Sequence, residues 1–243
     1  MLILDEEAHP PIAFSAGLPG DIQLSQLPNP CSVREAMVSP DTDGWKDAMD
    51  QEMANLKSHD VYELVLHTNS MQTLKLGWVF HRKFKNRVFE KNKGQLVARG
   101  NLQCPGIDYG RSFSPIMRLE SLRTILALAA IRDLKVIQFD ITSAYLHGTL
   151  KEEVYMEQPE GYVAPGKKDW VWCLKKGLYG LAQAGRTWND ELNAHLECEG
   201  FMATAKDPAI YVKNSWASND FAAAGFWVDD CVAIGSRKEL DSL

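Results

Sequence analysis

FAAAGFWVDDCVAI, residues 221–234, is the stretch that determines the predicted fold. It contains two apolar runs on either side of an acidic pair, Asp229 and Asp230. Short apolar runs joined by turn residues predict the two strands of a β-hairpin, with the acidic pair at the bend. Adjacent aspartates are also ordinary turn residues, so the pair alone leaves a purely structural interpretation open.

A third aspartate follows a predicted strand elsewhere in the chain. Asp140 comes directly after KVIQF (135–139), an apolar run that predicts a short buried strand. Its carboxylate could simply cap the segment that follows. Two-metal nucleotidyl transfer, however, requires carboxylates on rigid elements, and carboxylate oxygens are ligands that Mg²⁺ prefers. Asp140, Asp229 and Asp230 are therefore the candidate catalytic and metal-binding residues.

The rest of the pattern predicts an α+β protein. Apolar residues at helical spacing predict helices over 44–57, 118–132 and 186–199. Strand-like runs occupy 60–66, 76–85, 86–99, 153–158 and 170–174. Thr42 or Asp43 is the expected N-cap of the first helix, and Gly200 is the expected residue just beyond the last one. This mixture favours an antiparallel sheet with helices on one side.

The composition excludes several classes of protein. The 243 residues are 45% hydrophobic and 24% charged, which argues against a disordered, collagen-like or disulfide-scaffold chain. The apolar run 124–131 is too short to cross a bilayer, and acidic residues follow the short apolar start of the chain, so neither a membrane partner nor a secretory signal is expected. Five cysteines without CxxC spacing fit reduced thiols in an intracellular protein of otherwise unspecified location.

Proline and charge are distributed unevenly along the chain. Residues 1–40 contain six prolines and predict a flexible Pro-rich linker, with ordered structure from about residue 41. The net charge of −6 conceals a basic segment, 71–100, which has eight Lys or Arg residues and one acidic residue. Such a patch can contact nucleic-acid phosphates, although a solvated charged hairpin has the same composition.

Motifs around the three aspartates are more specific than the aspartates themselves. They are DITSAYLHG (140–148), EEVYMEQPEG (152–161), LYGLAQ (178–183), Arg186 with Trp188, and VDD (228–230). In this order they resemble D-x-x-x-A-[FY]-L-x-G, E-E-V-Y-M-x-Q-P-x-G, L-Y-G-L-x-Q, R-x-W and V-D-D of copia-type LTR-retrotransposon reverse transcriptases. Upstream matches follow the same order, at Trp45, WVF (78–80), LVARG (96–100), GIDY (106–109) and FSP (113–115).

The resemblance covers residues 41–243 and implies the fingers-and-palm polymerase fold, with an antiparallel palm sheet backed by helices. The basic fingers hairpin would occupy about 71–100 and the palm about 133–243. A thumb and an RNase H domain would be absent, as in a truncated copy. The chain departs from the family at Gln95, where a basic residue is usual, at Trp227, where Tyr is usual, and near Asn86, where no turn glycine is evident.

The same resemblance implies RNA-directed DNA polymerase activity. Asp140, Asp229 and Asp230 would hold Mg²⁺, with Mn²⁺ as a substitute. The partners would be an RNA or DNA template with its primer, and dNTPs.

The resemblance also implies roles in nucleotide binding. Tyr145 would be the aromatic gate that excludes a ribose 2′-OH, and Tyr179 and Gly180 would lie against the incoming nucleotide. Lys93 and Arg99 would contact phosphates. Two other functions stay open: a non-catalytic relic that binds nucleic acid without turnover, and a different magnesium phosphotransferase or nuclease that uses the same acids.

Overall fold

The computed structural model describes residues 27–103, 106, 109–215 and 218–240. The described helices are α1 (Val33–Val38), α2 (Thr42–Ser58), α3 (Leu119–Arg132), α4 (Ala184–Cys198) and α5 (Arg237–Leu240). The described strands are β1 (Tyr62–Leu66), β2 (Thr73–Leu74), β3 (Leu76–Lys85), β4 (Val88–Ala98), β5 (Lys135–Asp140), β6 (Thr149–Met156), β7 (Trp170–Lys176), β8 (Met202–Ala203), β9 (Ile210–Lys213), β10 (Ala222–Trp227) and β11 (Asp230–Gly235). Gly100–Leu102 and Ala144–His147 form 3₁₀ turns. The predicted α+β class is confirmed.

The chain divides into two compact units. One extends to Arg99 and includes Tyr155–Cys173, and it is called the hairpin unit below. The other comprises Gly100–Val154 and the residues from Leu174 onwards, and it is called the aspartate unit. The fingers and palm boundaries implied by the resemblance stay predictions.

The hairpin unit contains the predicted basic hairpin. β3 and β4 pair in antiparallel register, as the strand predictions over 76–85 and 86–99 require. Asn86 and Arg87 form the two-residue turn, with φ of 51° and 67°. Positive φ at both positions is the type I′ geometry that matches the twist of a hairpin. Asn86 tolerates this conformation, so the turn forms without glycine.

A second sheet includes strands from the hairpin unit and has the order β1-β7-β6-β2. β2 pairs with β6 in parallel, with Thr73 opposite Tyr155. The protein therefore contains a mixed sheet in addition to the antiparallel sheet that the sequence predicts. Among the described helices, none is both long enough and apolar enough to cross a membrane.

The linker predicted over residues 1–40 contains structure that the prediction omitted. Residues 1–26 lie outside the described residues, but α1 begins within the predicted linker and Ser32 caps it through its side chain. Leu27 and Pro28 are also fixed, because the buried Arg82 guanidinium donates hydrogen bonds of 3.0 and 2.7 Å to their carbonyl oxygens. Ordered structure thus begins before Asp41, and this prediction is wrong.

The aspartate unit is built on an antiparallel five-stranded sheet with the order β5-β11-β10-β9-β8. α3 covers one face, where Ile125 and Ala129 pack with Ala223 and Ile234 in one buried cluster. β5 is the edge strand, so the strand predicted over 135–139 exists but is not buried; Val136, for example, is 48% exposed. Edge position depends on strand order, which local sequence does not reveal.

The three long helices match their predicted spans closely. Gly200 follows α4 with φ of 84°, as expected for the residue beyond a helix end. The N-cap of α2 is Asp41 rather than Thr42 or Asp43, and the Asp41 carboxylate instead accepts a 2.6 Å hydrogen bond from Asn92. Helical spacing predicts an inward face of Leu119, Leu122, Ile125, Leu126 and Ala129 for α3. The helix buries Ile125 and Ala129, but Leu119 and Leu126 are exposed.

Asp207 fixes the start of α3 from outside the helix. Its buried carboxylate accepts hydrogen bonds from the Ser121 hydroxyl (2.5 Å) and from the backbone N–H groups of Arg118 (3.0 Å) and Ala209 (3.2 Å). Burial pushes the pKa of Asp207 upward, but these hydrogen bonds outweigh it and hold the pKa below its usual value. The ionised carboxylate of Asp207 is therefore the form that stabilises the start of α3.

Candidate active site

Strand register brings the three predicted aspartates together. β11 pairs antiparallel with β5, and Asp230 lies directly opposite Asp140. The backbone N–H of Ile141 donates a 2.9 Å hydrogen bond to the carbonyl oxygen of Asp229. The aspartates thus come from two neighbouring strands and the turn between β10 and β11, as predicted from the sequence.

The turn itself differs slightly from the prediction. Trp227 pairs with Asp230, so the two turn residues are Val228 and Asp229, and Asp230 is already the first residue of β11. Val228 has φ of 60°, whereas Asp229 is not among the residues with positive φ. Positive φ at only the first turn position is the type II′ pattern, where glycine is usual. A β-branched residue in this conformation is strained, so the surrounding contacts must hold the turn.

Electrostatics also indicates that the three carboxylates lie close together. Cys231 is 2% exposed, and burial raises the pKa of its thiol. The negative charges of Asp140, Asp230 and Asp229 raise this pKa further. All three act on one sulfur atom, so their charges converge on the same end of the sheet.

Tyr145, the predicted gate residue, lies beside this cluster. It belongs to the 3₁₀ turn that follows Asp140, and its half-buried ring packs edge-to-face against Tyr179, with ring centroids 4.9 Å apart. Burial raises the pKa of Tyr145, and the negative charge of Asp229 raises it further. The phenol group is therefore protonated at neutral pH.

Gly180, another predicted site residue, is held by contacts that sequence reasoning missed. A Cβ atom at Gly100 would overlap the Gly180 carbonyl oxygen, so the two backbones can approach only because residue 100 is glycine. The buried Gln103 side chain accepts a 2.8 Å hydrogen bond from the Ala182 N–H and donates a 3.1 Å bond to the side-chain amide oxygen Oε1 of Gln183. These partners are about 80 residues apart, and no local pattern could have revealed them.

Lys93 and Arg99 lie in the hairpin unit, where both are exposed. Lys93 stands opposite His81, and Lys83 stands opposite Lys91. Like charges directly across an antiparallel pair are unfavourable unless an anion lies between them. This arrangement suits phosphate, although the assignment of phosphate contacts to Lys93 and Arg99 stays a prediction.

The sequence profile of the reverse transcriptase (RNA-dependent DNA polymerase) family matches residues 59–241. The chain belongs to this family. It is 38% identical over 220 residues to the retrovirus-related Pol polyprotein from transposon TNT 1-94 of Nicotiana tabacum, a match that covers 90% of this chain and 16% of the polyprotein.

Two further relatives support the copia-type assignment of this reverse transcriptase region. The Pol polyprotein from transposon RE2 of Arabidopsis thaliana is 34% identical over 209 residues, which are 85% of this chain and 14% of the polyprotein. The transposon Ty1-GR3 Gag-Pol polyprotein of Saccharomyces cerevisiae is 33% identical over 165 residues, which are 68% of this chain and 9% of the polyprotein. The chain thus spans a small part of the relatives that it matches, and the family resemblance inferred from the motifs is confirmed.

The donor chemistry of this reverse transcriptase region suits a divalent cation. Asp140 and Asp230 face one another across two strands, and Asp229 lies in the adjoining turn. Within the described ranges, no group of three or more His, Cys, Asp or Glu side chains is arranged to hold a metal ion. Mg²⁺ usually takes one or two carboxylates and completes its coordination with water and substrate phosphates. The residues present fit that mode of binding rather than a prebuilt cage.

Proposed function

We propose that this chain catalyses RNA-directed DNA synthesis, with Asp140, Asp229 and Asp230 as its catalytic carboxylates. The observation that carries the proposal is the strand register, which sets Asp140 opposite Asp230 beside the turn that contains Asp229. Membership of the reverse transcriptase family supports the choice of reaction. Strands and a tight turn are rigid supports, and rigid supports are what a reaction that depends on positioning requires.

In the proposed reaction, the 3′-hydroxyl of a primer attacks the α-phosphorus of a dNTP. The new O–P bond forms as the bond to the bridging oxygen of the β-phosphate breaks, so pyrophosphate leaves and the hydroxyl proton passes to solvent. Mg²⁺ bound at the carboxylates would lower the pKa of the hydroxyl and neutralise the triphosphate charge. The contribution of the chain is to fix the three carboxylates relative to one another through the β5–β11 pair.

Tyr145 is proposed to select dNTPs over ribonucleotides. Two observations support this role. The ring of Tyr145 packs against the ring of Tyr179, and the negative charge of Asp229 raises the pKa of Tyr145, as expected for a bulky ring close to the proposed reaction centre. Tyr145→Ala should raise ribonucleotide incorporation relative to dNTP incorporation, whereas Tyr145→Phe keeps the ring and should preserve the discrimination. Equal ratios of rNTP to dNTP kcat/KM in the wild type and the Ala variant would contradict this role.

Primer extension tests the proposed reaction itself. The wild type is given an RNA template, a DNA primer and dNTPs, first with Mg²⁺ and then with Mn²⁺, beside the double variant Asp229→Asn, Asp230→Asn. Extension that disappears in the variant is the expected result. Extension that survives in the variant would show that these carboxylates do not carry the reaction.

Nucleic-acid binding without turnover is the second candidate function. The facing cations of β3 and β4 favour it, because they suit phosphate whether or not the carboxylates act. Salt-sensitive binding of a primer–template duplex, with no extension by folded wild-type protein, would support this candidate and exclude the first.

A further inference from the structure

The turn between β10 and β11 is held at two successive carbonyl groups. The carbonyl oxygen of Val228 accepts a 3.1 Å hydrogen bond from the indole N–H of Trp188, and that of Asp229 accepts a 2.9 Å bond from the Ile141 N–H. The first bond comes from α4 and the second from the end of β5. Because Val228 has a strained positive φ, such contacts are what keep the turn in this conformation.

Trp188 is itself fixed in position. It is 3% exposed and lies in the second turn of α4. The 3₁₀ turn that carries Tyr145 ends on Gly148, which approaches the helix backbone so closely that a Cβ atom there would lie 2.6 Å from the backbone nitrogen of Trp188. The backbone that carries the indole is therefore packed against the segment that follows Asp140, and the His147 ring of that segment lies 5.9 Å from the indole ring, centroid to centroid.

The hydrogen bond is not an automatic consequence of burying an indole ring. Trp45 and Trp78 also have buried indole N–H groups, and the described residues offer no hydrogen-bond partner to either of them. Burial of a tryptophan in this protein therefore does not by itself bring such a partner. The Trp188 bond is a specific contact directed at the turn.

We propose that Trp188 is a positioning residue for the Asp229 carboxylate. A peptide unit is planar, so fixing the Val228 carbonyl also fixes the amide nitrogen and Cα of Asp229. The Ile141 bond holds the next peptide unit through the Asp229 carbonyl, and the two planes together set the direction in which the Asp229 side chain leaves the backbone. The proposal rests on the proposed function, because it gives Trp188 a role in orienting a catalytic carboxylate.

The first test measures the hydrogen bond without requiring activity. Val228–Asp229 is the only Val–Asp dipeptide in the sequence, so protein labelled with ¹³C-carbonyl valine and ¹⁵N-aspartate gives a single Val–Asp correlation in an NMR experiment. Trp188→Phe removes the N–H and should shift the Val228 carbonyl resonance upfield. Trp78→Phe, which removes an unpaired N–H, should leave it in place. Should Trp188→Phe not fold, Trp188→benzothienylalanine keeps the ring shape and still lacks the donor.

The second test asks whether the bond positions the carboxylate. Mn²⁺ binding, followed by electron paramagnetic resonance of the free ion, should weaken about five-fold in Trp188→Phe, as expected for the loss of one hydrogen bond, and should be unchanged in Trp78→Phe. An unmoved carbonyl resonance overturns the proposal. A shifted resonance with unchanged Mn²⁺ affinity also overturns it, since the bond would then position nothing. Wild-type protein that binds no Mn²⁺ would refute the metal site of the proposed function, while the NMR result would still decide whether the bond exists.

Discussion

The backbone conformation of Val228 makes the turn between β10 and β11 a source of strain that can be measured. Its φ of 60° lies in the left-handed region, which costs an L-residue about 1–2 kcal/mol. Replacement by glycine removes this cost but adds about 0.5–1 kcal/mol of backbone entropy loss on folding. The comparison of Val228→Gly with Val228→Ala isolates the backbone effect, because both lack the γ-methyl groups. We expect the Gly variant to be more stable than the Ala variant by about 0.5–1 kcal/mol.

The sign of this stability difference shows whether the backbone of Val228 is strained. At an ordinary position alanine is the more stable of the two by about 0.5–1 kcal/mol, so strain reverses the usual order. Urea unfolding of both variants measures the free-energy difference, and thermal unfolding should show a higher Tm for Val228→Gly by about 1–4 °C for a chain of this size. An Ala variant more stable than the Gly variant would refute the strained turn. The wild type is the reference that shows what the valine methyl groups add.

Further predictions concern the sheet and the backbone contacts around the site. Asp207→Asn should lower the free energy of unfolding by about 2–3 kcal/mol at pH 7, because an amide cannot accept all the hydrogen bonds that the carboxylate accepts. Since the pKa of Asp207 is lowered by folding, its contribution is complete well above the unfolded-state pKa of about 4 and is lost as the pH falls through the lower folded-state pKa. Urea unfolding should therefore show the difference between variant and wild type shrinking in acid. Gly100→Ala should raise the KM for dNTP in primer extension by displacing the Gly180 backbone, whereas Gly110→Ala, where a Cβ atom meets nothing within 4 Å, should leave KM unchanged. Identical KM values for the two glycine variants would contradict a role for the Gly100 contact.

The sequence predicted those parts of the fold that local patterns encode. Helical periodicity located α2, α3 and α4, and alternation located β3 and β4. Ser32 and Glu35 form the S-x-x-E pattern that marks a helix start, and Ser32 does cap α1; the linker prediction rested on the prolines alone and did not include this signal. The exposure of β5 could not be predicted, because it follows from the place of that strand at the edge of the sheet.

The sequence predicted that the three aspartates lie together, but it did not reveal the detailed geometry of the turn. Motifs identified Asp140, Asp229 and Asp230, and the register confirms that they lie together. The strained φ of Val228 and the Trp188 hydrogen bond depend on contacts between residues about 40 positions apart. Such contacts arise from packing, and only the folded structure reveals them.

Single-nucleotide incorporation by Asp140→Asn tests the central claim most directly. The substitution preserves the shape of a side chain on the edge strand while removing its charge. Asp133→Asn is the matched control, because Asp133 is exposed, lies seven residues upstream and has a left-handed φ of 53° that asparagine tolerates. The account predicts that the wild type and Asp133→Asn extend an RNA-templated primer and that Asp140→Asn does not. Equal extension by Asp140→Asn and the control would contradict the claim that Asp140 acts together with Asp229 and Asp230.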